Sequence, residues 1–413
     1  GFHLAYDAST FGQGYTKIEG DYREDVKSWR KDGFSALVNY HKLNKENLSK
    51  LIYTYLGDWI RMCDAKKKAG ESGADGLLDA AKKLQEKLGD DKVGEMFCLG
   101  HCYENHAFHY DGENYAGNDI NKIDQIIKGE KIKQEKFFSK SFASTSFLMD
   151  DKLSNLDQFK DVLNKFINTD KQEIIKSLLD SNLTGRGGAG FPAGMKWDFC
   201  GKAKSEKKYV ICNADEGDSG AFSDRYLLED QPLKVLFGMI ICGYVIGSDE
   251  GVLYIRGEYP KSIEAINGRI NELKKLNLLG DNILGTDFSF DLGICIGQGA
   301  YICGEETGLI ESLEGKRPNP RIKPPYFPAV LGLYQCPTIV NNVETLCNVR
   351  HIIEMGGEEF SKIGKPNNTG TRIWCVSGQV MKPGYYEFEC GSLTLGQLIF
   401  DVCGGLRPGR SLT

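Results

Sequence analysis

The alternation of apolar strand patterns with amphipathic helices from about residue 170 onward limits the fold more than any other feature. The segment KYVICNADEG (208–217) is typical of an apolar strand that ends in acids, and VLYIRGEYP (252–260) is typical of another strand. The helical pattern KSIEAINGRINELKKLNLLG (261–280) follows and closes at a glycine. This alternation predicts an α/β domain with an open sheet.

Composition excludes several classes of protein. The 413 residues suffice for two or three domains, and the net charge of -6 argues against a general nucleic-acid binder. The apolar run VLFGMIICGYVIG (235–247) is too short to span a bilayer and predicts a buried core helix. No secretory signal is recognised, and the chain begins with Gly1. We therefore expect a cytoplasmic or organelle-matrix protein.

The segment GRGGAGFPAGMKWDF (185–199) is rich in glycine. It lacks the Gly-Lys-Ser/Thr of a Walker motif and matches G-x-G-x-x-G only loosely. Glycine lets backbone N–H groups approach an anion without interference from a Cβ, and Arg186 and Lys196 add cationic donors. The segment predicts a site for a phosphate-bearing ligand, with a tight structural turn as the alternative.

The segment NADEGDSGAFSDR (213–225) places acids and an amide at the exit of an apolar strand. Ligands of open α/β sheets usually bind at such an exit. The carboxylates of Asp215, Glu216 and Asp218 can accept hydrogen bonds from ribose or ribityl hydroxyls. The alternative is a solvated acidic turn.

Two more segments have the same character. In GQGAYICGEETGLIESLEGK (297–316), Glu305 and Glu306 stand at the start of a helix, where acids suit the helix dipole, or where they could hold amides or hydroxyls of a ligand. In TIVNNVETL (338–346), Asn341 and Asn342 offer amides at a strand end, either to a ligand or as a helix cap.

In this order and spacing, the four motifs resemble the NADH-oxidising flavoprotein subunit of respiratory complex I. The same module recurs in NAD-reducing hydrogenases, electron-bifurcating hydrogenases and NAD-dependent formate dehydrogenases, and the resemblance covers about residues 170–413. It implies an oxidoreductase subunit that passes electrons between NAD(H), FMN and iron–sulfur clusters of a larger complex. A regulatory or assembly module that binds nucleotide or flavin without turnover is the alternative.

The resemblance also implies roles for individual residues. The phosphate side of FMN is assigned to Gly185, Arg186, Gly187, Gly188 and Lys196. The flavin and its ribityl chain are assigned to Asn213, Asp215, Glu216, Gly304, Glu305, Asn341 and Asn342. The adenine of NADH is assigned to Phe191 and Phe199, together with Tyr326 or Phe327, because KPPYFPA is one residue longer than the usual family sequence. Glu306 corresponds to the acid that faces the nicotinamide, and Tyr301 to a tyrosine beside the flavin, so these two are the catalytic candidates.

The sequence departs from the complex I pattern at Asp218-Ser219, where complex I members usually carry Glu-Pro. The GDSG form is more similar to the partners of formate dehydrogenases or hydrogenases. By resemblance, Asp218 lies near the adenosine ribose, where a carboxylate repels a 2′-phosphate. We therefore expect NADH to be preferred over NADPH.

The sequence divides into five predicted segments: an irregular extension (1–52), a thioredoxin-like domain (53–130), a linker (131–169), the FMN- and NADH-binding domain (170–365) and a partial ubiquitin-like, SLBB-type domain (366–413). A hairpin is predicted around Asp111-Gly112, and a second one with a Pro-Gly turn in TRIWCVSGQVMKPGYYEFE (371–389). In the family, a helical bundle with a [4Fe-4S] cluster comes next, and we expect the chain to be a fragment that stops before it.

Most of the thirteen cysteines lie in apolar runs, as is typical of buried reduced thiols, but the spacing in CLGHC (98–102) is unusual. The surrounding segment resembles the thioredoxin-like [2Fe-2S] domain that accompanies this flavoprotein. Cys63 fits the first ligand position, and Cys98 and Cys102 fit the second pair. Lys68 occupies the fourth position, so either a residue such as His101 or Asp64 completes the site, or the cluster is lost and the domain is only a scaffold.

Overall fold

The structure is a computed structural model that describes residues 82–89, 93, 98–104, 107–132, 138–149, 153, 155–218 and 220–411. The chain forms two compact units, one of residues 1–97 and 105–134 and the other of residues 98–104 and 135–413. None of the described helices combines the length and the apolar character needed to cross a membrane.

The larger unit is built around a four-stranded parallel sheet in the order β6-β5-β4-β7. Its strands are β4 (Tyr209–Ala214), β5 (Glu250–Arg256), β6 (Asp291–Gly297) and β7 (Thr338–Asn342). The middle of β4 is fully buried because helices cover both faces of the sheet, which explains its continuous apolar pattern. The α/β class with an open sheet, expected from the alternation of patterns, is confirmed.

Helices of the larger unit precede, connect and follow these strands. They are α2 (Leu156–Phe166), α3 (Lys171–Asp180), α4 (Ala193–Lys202), α5 (Ser223–Asp230), α6 (Pro232–Ile246), α7 (Pro260–Lys275), α8 (Glu306–Leu313), α9 (Pro328–Leu331), α10 (Val343–Met355), α11 (Gly357–Ser361) and α12 (Leu395–Gln397). Short 3-10 turns lie at Ile283–Gly285, Tyr301–Gly304 and Leu333–Gln335, and a π turn lies at Leu398–Val402.

Helix α6 is the central helix of the core. It begins with Pro232 in its first turn and ends at Gly247, whose φ of 75° closes the helix in the left-handed region. A Cβ on Gly238 would lie 2.4 Å from the Leu346 carbonyl oxygen of α10, so glycine is needed for this close helix contact. The buried core helix predicted for residues 235–247 is confirmed.

A three-stranded sheet in the order β10-β11-β3 lies near the C-terminus of the larger unit. The hairpin of β10 (Thr371–Val376) and β11 (Gly384–Glu389) is the one predicted from the Pro-Gly turn, and β3 (Phe138–Ser141) pairs in parallel with β11. The buried Glu387 carboxylate accepts backbone N–H bonds from Phe147 (2.9 Å), Leu148 (3.0 Å) and Met149 (3.1 Å). Phe138–Ser141 are therefore a strand of this sheet and residues 147–149 are bound to it through Glu387, although sequence patterns assign both to a linker. Two short antiparallel strands of two residues each, β8 (Gly364–Lys365) and β9 (Asn368–Thr369), precede β10 in the chain.

The smaller unit is described only in part. Its hairpin joins β1 (Phe108–Tyr110) to β2 (Glu113–Tyr115) through Asp111 and Gly112, both with positive φ, as predicted. A 3-10 turn (Gly117–Lys122), α1 (Ile123–Ile127) and helical residues 82–88 surround a small core that includes Leu84, Phe108 and Ile126. About half of the predicted thioredoxin-like domain lies outside the described residues, including all of residues 53–81, and its boundaries stay predictions.

Candidate functional site

The order of the strands creates a crevice at one edge of the parallel sheet. From β4 the chain passes to its neighbour β5 and then to β6, and it returns to β7 on the other side of β4. Strand order thus reverses between β4 and β7, and ligands of open α/β sheets bind at the carboxyl ends of the strands at such a point. Asn213 and Asn342 are paired in register there, and both belong to the predicted ligand motifs.

The glycine-rich loop stands at this crevice. Gly185 N donates to the Phe191 carbonyl oxygen (2.9 Å) and Arg186 N donates to Thr345 Oγ1 (2.8 Å), so the loop is tied to its own end and to α10. A Cβ on Gly187 would lie 3.1 Å from Asn342 Cβ, which shows how closely the loop approaches the end of β7. Residues 187–190 are exposed, and their backbone is open to a ligand.

The Arg186 side chain points away from this open face. It is only 1% exposed, donates to the Thr369 carbonyl oxygen, and has its Nε 3.8 Å from Glu344 Oε1. In the structure it therefore anchors the glycine loop to the interior. The contact with a phosphate that the resemblance implies for this side chain would require it to leave those partners.

Four charged side chains form a network across the crevice. Lys196 Nζ donates to Glu306 Oε2 (2.8 Å) and to the Val340 carbonyl oxygen (2.7 Å). Lys323 Nζ donates to Glu306 Oε1 (2.7 Å) and Glu305 Oε1 (3.1 Å). Burial raises the pKa values of Glu305 and Glu306, but hydrogen bonds and the lysine charges outweigh it, so both lie below the ordinary value. Both acids are therefore carboxylates at neutral pH.

Glu305 has a second, structural role. Its Oε2 accepts from Thr307 N and Gly308 N, both at 2.8 Å, and so caps the N-terminus of α8. The other carboxylate oxygen, Oε1, contacts Lys323 and takes no part in the cap. Capping and a ligand contact would therefore use different oxygens of Glu305. Asn342 also caps a helix: its Oδ1 accepts from Glu344 N (2.9 Å) at the start of α10, and its Nδ2 donates to Asp224 Oδ2 (2.7 Å), so both polar atoms of its side chain contact the protein.

Amides and acids at the end of β4 make the floor of the crevice. Asn213 Nδ2 donates to the Gly304 carbonyl oxygen (2.9 Å), which joins the end of β4 to the turn before α8. Asp215 is buried directly after the strand, and an added Cβ on Gly304 would lie 3.3 Å from its carbonyl oxygen. Asn341 is buried, and its Nδ2 has no hydrogen-bond partner among the described residues. That amide is a donor available to a ligand.

Glu216 and Asp218 differ in placement although they are two residues apart. The Glu216 carboxylate is buried and accepts from Asp224 N (3.1 Å), Arg225 N (3.2 Å) and Tyr259 Oη (3.1 Å), so it holds the N-terminus of α5. Burial raises its pKa. Asp218 is exposed. Of the two, the structure leaves Asp218 free to face a ligand and commits Glu216 to the protein.

Aromatic side chains around the crevice are unusually exposed. Tyr301 is 58% exposed, Phe199 50%, Phe191 46% and Tyr326 36%, although residues of this kind are normally buried. They come from the glycine loop, α4, the turn before α8 and the segment before α9. Exposed aromatic rings beside a polar crevice suit a ligand with flat rings.

Sequence reasoning missed three residues of this region. Lys323 stands in a proline-rich segment after α8 and was not singled out, although a lysine three residues before Tyr326 is a visible signal. Asp224 is buried beneath Asn342, and Arg256 donates to the Glu216 carbonyl oxygen from the end of β5. No local pattern indicates the latter two, because their partners are distant in sequence.

The metal candidates are only partly described. Cys63 lies outside the described residues, whereas Cys98 Sγ and Cys102 Sγ lie 3.2 Å apart. The hydrogen bond from Cys102 lowers the pKa of Cys98 to about 6, and the same bond together with burial raises that of Cys102. In the described ranges, no three His, Cys, Asp or Glu side chains converge as a metal site requires.

A glycine loop, a buried amide donor and exposed aromatic rings at the switch point of a parallel sheet define a nucleotide-type ligand site of an α/β domain. Comparison with known proteins makes the class specific: residues 178–351 match the Nuo51 FMN-binding domain. The donors described above, with the cleft left by Gly185–Gly190, fit the phosphate and ring edges of FMN.

Three relatives illustrate the range of proteins that carry this domain. An NADH-quinone oxidoreductase subunit of Rhizobium meliloti is 49% identical over 58% of this chain and 56% of its own length. The NAD-reducing hydrogenase HoxS subunit alpha of Cupriavidus necator is 48% identical over 58% of this chain and 40% of its own length. The mitochondrial NADH dehydrogenase [ubiquinone] flavoprotein 1 of Dictyostelium discoideum is 44% identical over 59% of this chain and 51% of its own length.

The crystal structure of an NAD+-reducing [NiFe]-hydrogenase in the H2-reduced state resembles the chain with a TM-score of 0.68 and 32% identity. The match covers 81% of this chain and 58% of that one. The chain spans about half the length of the curated relatives it matches.

Proposed function

We propose that the chain binds FMN and NAD(H) in the crevice between β4 and β7 and works as the NADH-oxidising or NAD-reducing flavoprotein subunit of a larger redox complex. One observation carries the proposal: the residues that meet at the crevice, from Gly185 to Asn342, all lie within the matched FMN-binding domain at 178–351. A chance assembly of donors would not coincide with both the switch point and the family match.

The phosphate end of the flavin would lie at the glycine loop. The exposed backbone of residues 187–190 offers N–H donors, and the positive φ values of Gly188 (109°) and Gly190 (65°) suit a loop that turns its amides outward. Lys196 adds a positive charge one helical turn into α4. Asn341 Nδ2 and Asn213 would hold polar edges of the ring and the ribityl chain.

FMN, when bound, accepts the two electrons of a hydride together and passes them on singly, which is the chemistry needed between NADH and iron–sulfur clusters. The residues of this chain would bind FMN and NADH and orient the two ring systems. Glu306, kept as a carboxylate by Lys196 and Lys323, can accept hydrogen bonds from a carboxamide or hydroxyl but has no proton to donate at neutral pH. Tyr301 would flank the flavin, and Phe191, Phe199 and Tyr326 would stack on the adenine.

Specificity for NADH is assigned to Asp218, an exposed carboxylate that would repel the 2′-phosphate of NADPH. A relative that is 44% identical is named NADP-reducing hydrogenase subunit HndC, whereas another is named NAD-reducing hydrogenase HoxS subunit alpha. Proteins with this domain are therefore named for either nucleotide. For the parent assembly we propose a hydrogenase, a formate dehydrogenase or a complex I-like enzyme, located in the cytoplasm or an organelle matrix.

The test is an anaerobic titration of the purified protein, loaded with FMN, with NADH. A yellow protein that NADH bleaches, and that then reduces ferricyanide with turnover, supports the oxidoreductase. A protein that binds FMN and NADH without bleaching would instead be the non-catalytic regulatory or assembly module. A protein that retains no FMN under any condition contradicts the oxidoreductase, and one that binds neither FMN nor NADH contradicts both. Proteins that co-purify with the natural chain would identify the parent complex.

A further inference from the structure

Cys98 and Cys102 form a pair that the proposed function leaves unused. Their Sγ atoms lie 3.2 Å apart, and both thiols are free and half-buried. Two thiolates on one tetrahedral metal, each about 2.3 Å from it, would be about 3.8 Å apart. The observed contact of 3.2 Å is shorter than that separation and about 1.1 Å longer than a disulfide bond of about 2.05 Å.

The residues fit the family's [2Fe-2S] cluster poorly. Such a cluster needs four ligands, and the fourth family position is Lys68, whose ammonium has no lone pair to donate. His101, between the two cysteines, has its Nδ1 3.2 Å from Tyr103 Oη and 3.8 Å from Glu104 Oε2. The chain therefore has the Cys98–Cys102 pair but lacks the four cysteine ligands that the family uses for its cluster.

The turn that carries the pair is held firmly by the flavin-binding unit, to which residues 98–104 belong. Arg256 Nη2 donates to the Cys98 carbonyl oxygen (2.7 Å), and Arg225 Nη1 donates to the Gly100 carbonyl oxygen (2.6 Å). Gly100 has a φ of 71°, and a Cβ there would lie 2.8 Å from the Tyr259 ring. Two buried arginines and a tight glycine turn thus fix the two sulfurs face to face.

We propose that Cys98 and Cys102 are a reversible dithiol–disulfide site. One cysteine, as a thiolate, attacks the S–S bond of glutathione disulfide or of an oxidised protein dithiol. A mixed disulfide forms, and one thiol is released. The other cysteine then displaces the second thiol from the mixed disulfide. The protein loses two electrons and two protons and gains one S–S bond, and the reagent disulfide is reduced to two thiols.

The ligand motif that follows β4 touches this pair. Gly220 N donates to Cys102 Sγ (3.3 Å), and Gly220 lies between Asp218 and the start of α5. Closing the S–S bond moves the sulfurs together by about 1 Å, which alters this contact and the segment that carries Asp218. This step rests on the proposed function: disulfide formation should change the affinity for NADH by on the order of fivefold.

The first measurement needs no flavin. The anaerobically purified protein is reduced with dithiothreitol, then exposed to glutathione disulfide, and its mass and peptide map are determined. We expect the loss of two hydrogen atoms, a Cys98–Cys102 cross-link, and reversal by dithiothreitol. Cys98→Ser and Cys102→Ser should abolish the cross-link, and Cys336→Ser, at a half-buried cysteine elsewhere, should keep it.

Two results would overturn the site: glutathione adducts on both cysteines without a cross-link in the unmutated protein, or stoichiometric iron and sulfide that Cys98→Ser removes. The second measurement compares NADH dissociation constants of the reduced and cross-linked protein. Equal constants would overturn the link to the Asp218 segment. Failure of the protein to bind NADH in either state would count against the proposed function. The mass measurement would still show whether Cys98 and Cys102 form a reversible disulfide.

Discussion

Lys196 Nζ lies 2.8 Å from Glu306 Oε2, and this ion pair joins α4 to the first turn of α8 across the crevice. A second bond of 2.7 Å from the same amine to the Val340 carbonyl oxygen extends the link to β7. Three elements that bound the ligand site are therefore connected through one amine. The pair also fixes the charge of Glu306, the acid assigned to the nicotinamide.

Lys196→Met should raise the pKa of Glu306, because burial then has only Lys323 to oppose it. In the unmutated protein the pKa of Glu306 is lower in the folded state than in the unfolded chain. The ion pair therefore stabilises the fold at pH values above the pKa of the unfolded chain, and this stability is lost as the pH falls through the folded pKa. We expect the acid limb of the pH profile of kcat/KM for NADH to move to higher pH.

The matched control is Lys202→Met, which removes an exposed pair with Asp198 on the same helix. It should leave the acid limb where it is. An acid limb that stays in place in Lys196→Met would show that Glu306 does not control activity in this pH range.

Gly187→Val should prevent retention of FMN. The Cβ alone would come within 3.1 Å of Asn342 Cβ, and the two methyl groups would fill the space beside the loop amides. We expect FMN binding to weaken by roughly tenfold or more, measured by flavin fluorescence. Gly268→Ala, in open space on α7, is the control and should bind FMN normally. Full flavin occupancy in Gly187→Val would contradict the assignment of the loop.

Glu344→Gln should change how stability depends on pH. Burial raises the pKa of Glu344 to about 7 although Arg186 and Arg372 oppose it. A carboxyl with a raised folded pKa binds its proton more tightly in the folded state, so its contribution to stability falls as pH rises from the unfolded value toward about 7. Burial raises the pKa of Asp224 in the same way, and the charges of Glu216 and Glu344 add to it.

The measurement is the free energy of unfolding in urea at about pH 5 and about pH 8, on either side of that titration. The unmutated protein should lose more stability between the two than Glu344→Gln does. Glu358→Gln, an exposed acid on α11, should behave like the unmutated protein. Identical losses in all three would mean that Glu344 titrates as it does in the unfolded chain.

Local patterns predicted much of the fold. Strands β4 and β5, helix α6 and the hairpin at Asp111-Gly112 depend on neighbours in sequence, and the structure has them where the patterns indicated. The parallel order of the strands could not be derived in the same way, because it depends on contacts between segments far apart in the chain.

The site was harder to predict in detail than the fold. Motifs located the glycine loop and the acids, but the direction of each side chain depends on distant partners. Arg186 turns inward to Thr369 and Glu344, and Glu216 is held by Tyr259. Lys323 reaches Glu306 only because the chain folds back after α8.

Asp218→Asn should relax the preference for NADH over NADPH. An exposed carboxylate near the adenosine ribose repels a 2′-phosphate, and the amide keeps the size of the side chain while removing the charge. Because the group is exposed, water and salt screen the repulsion, and we expect the ratio of kcat/KM values to fall by roughly fivefold at low ionic strength and by less in salt. Steady-state ferricyanide reduction with each nucleotide measures this ratio. Asp287→Asn, an exposed acid before the amino end of β6, should leave the ratio unchanged. Equal use of NADH and NADPH by the unmutated protein would contradict the role of Asp218, because there would then be no preference for its charge to explain.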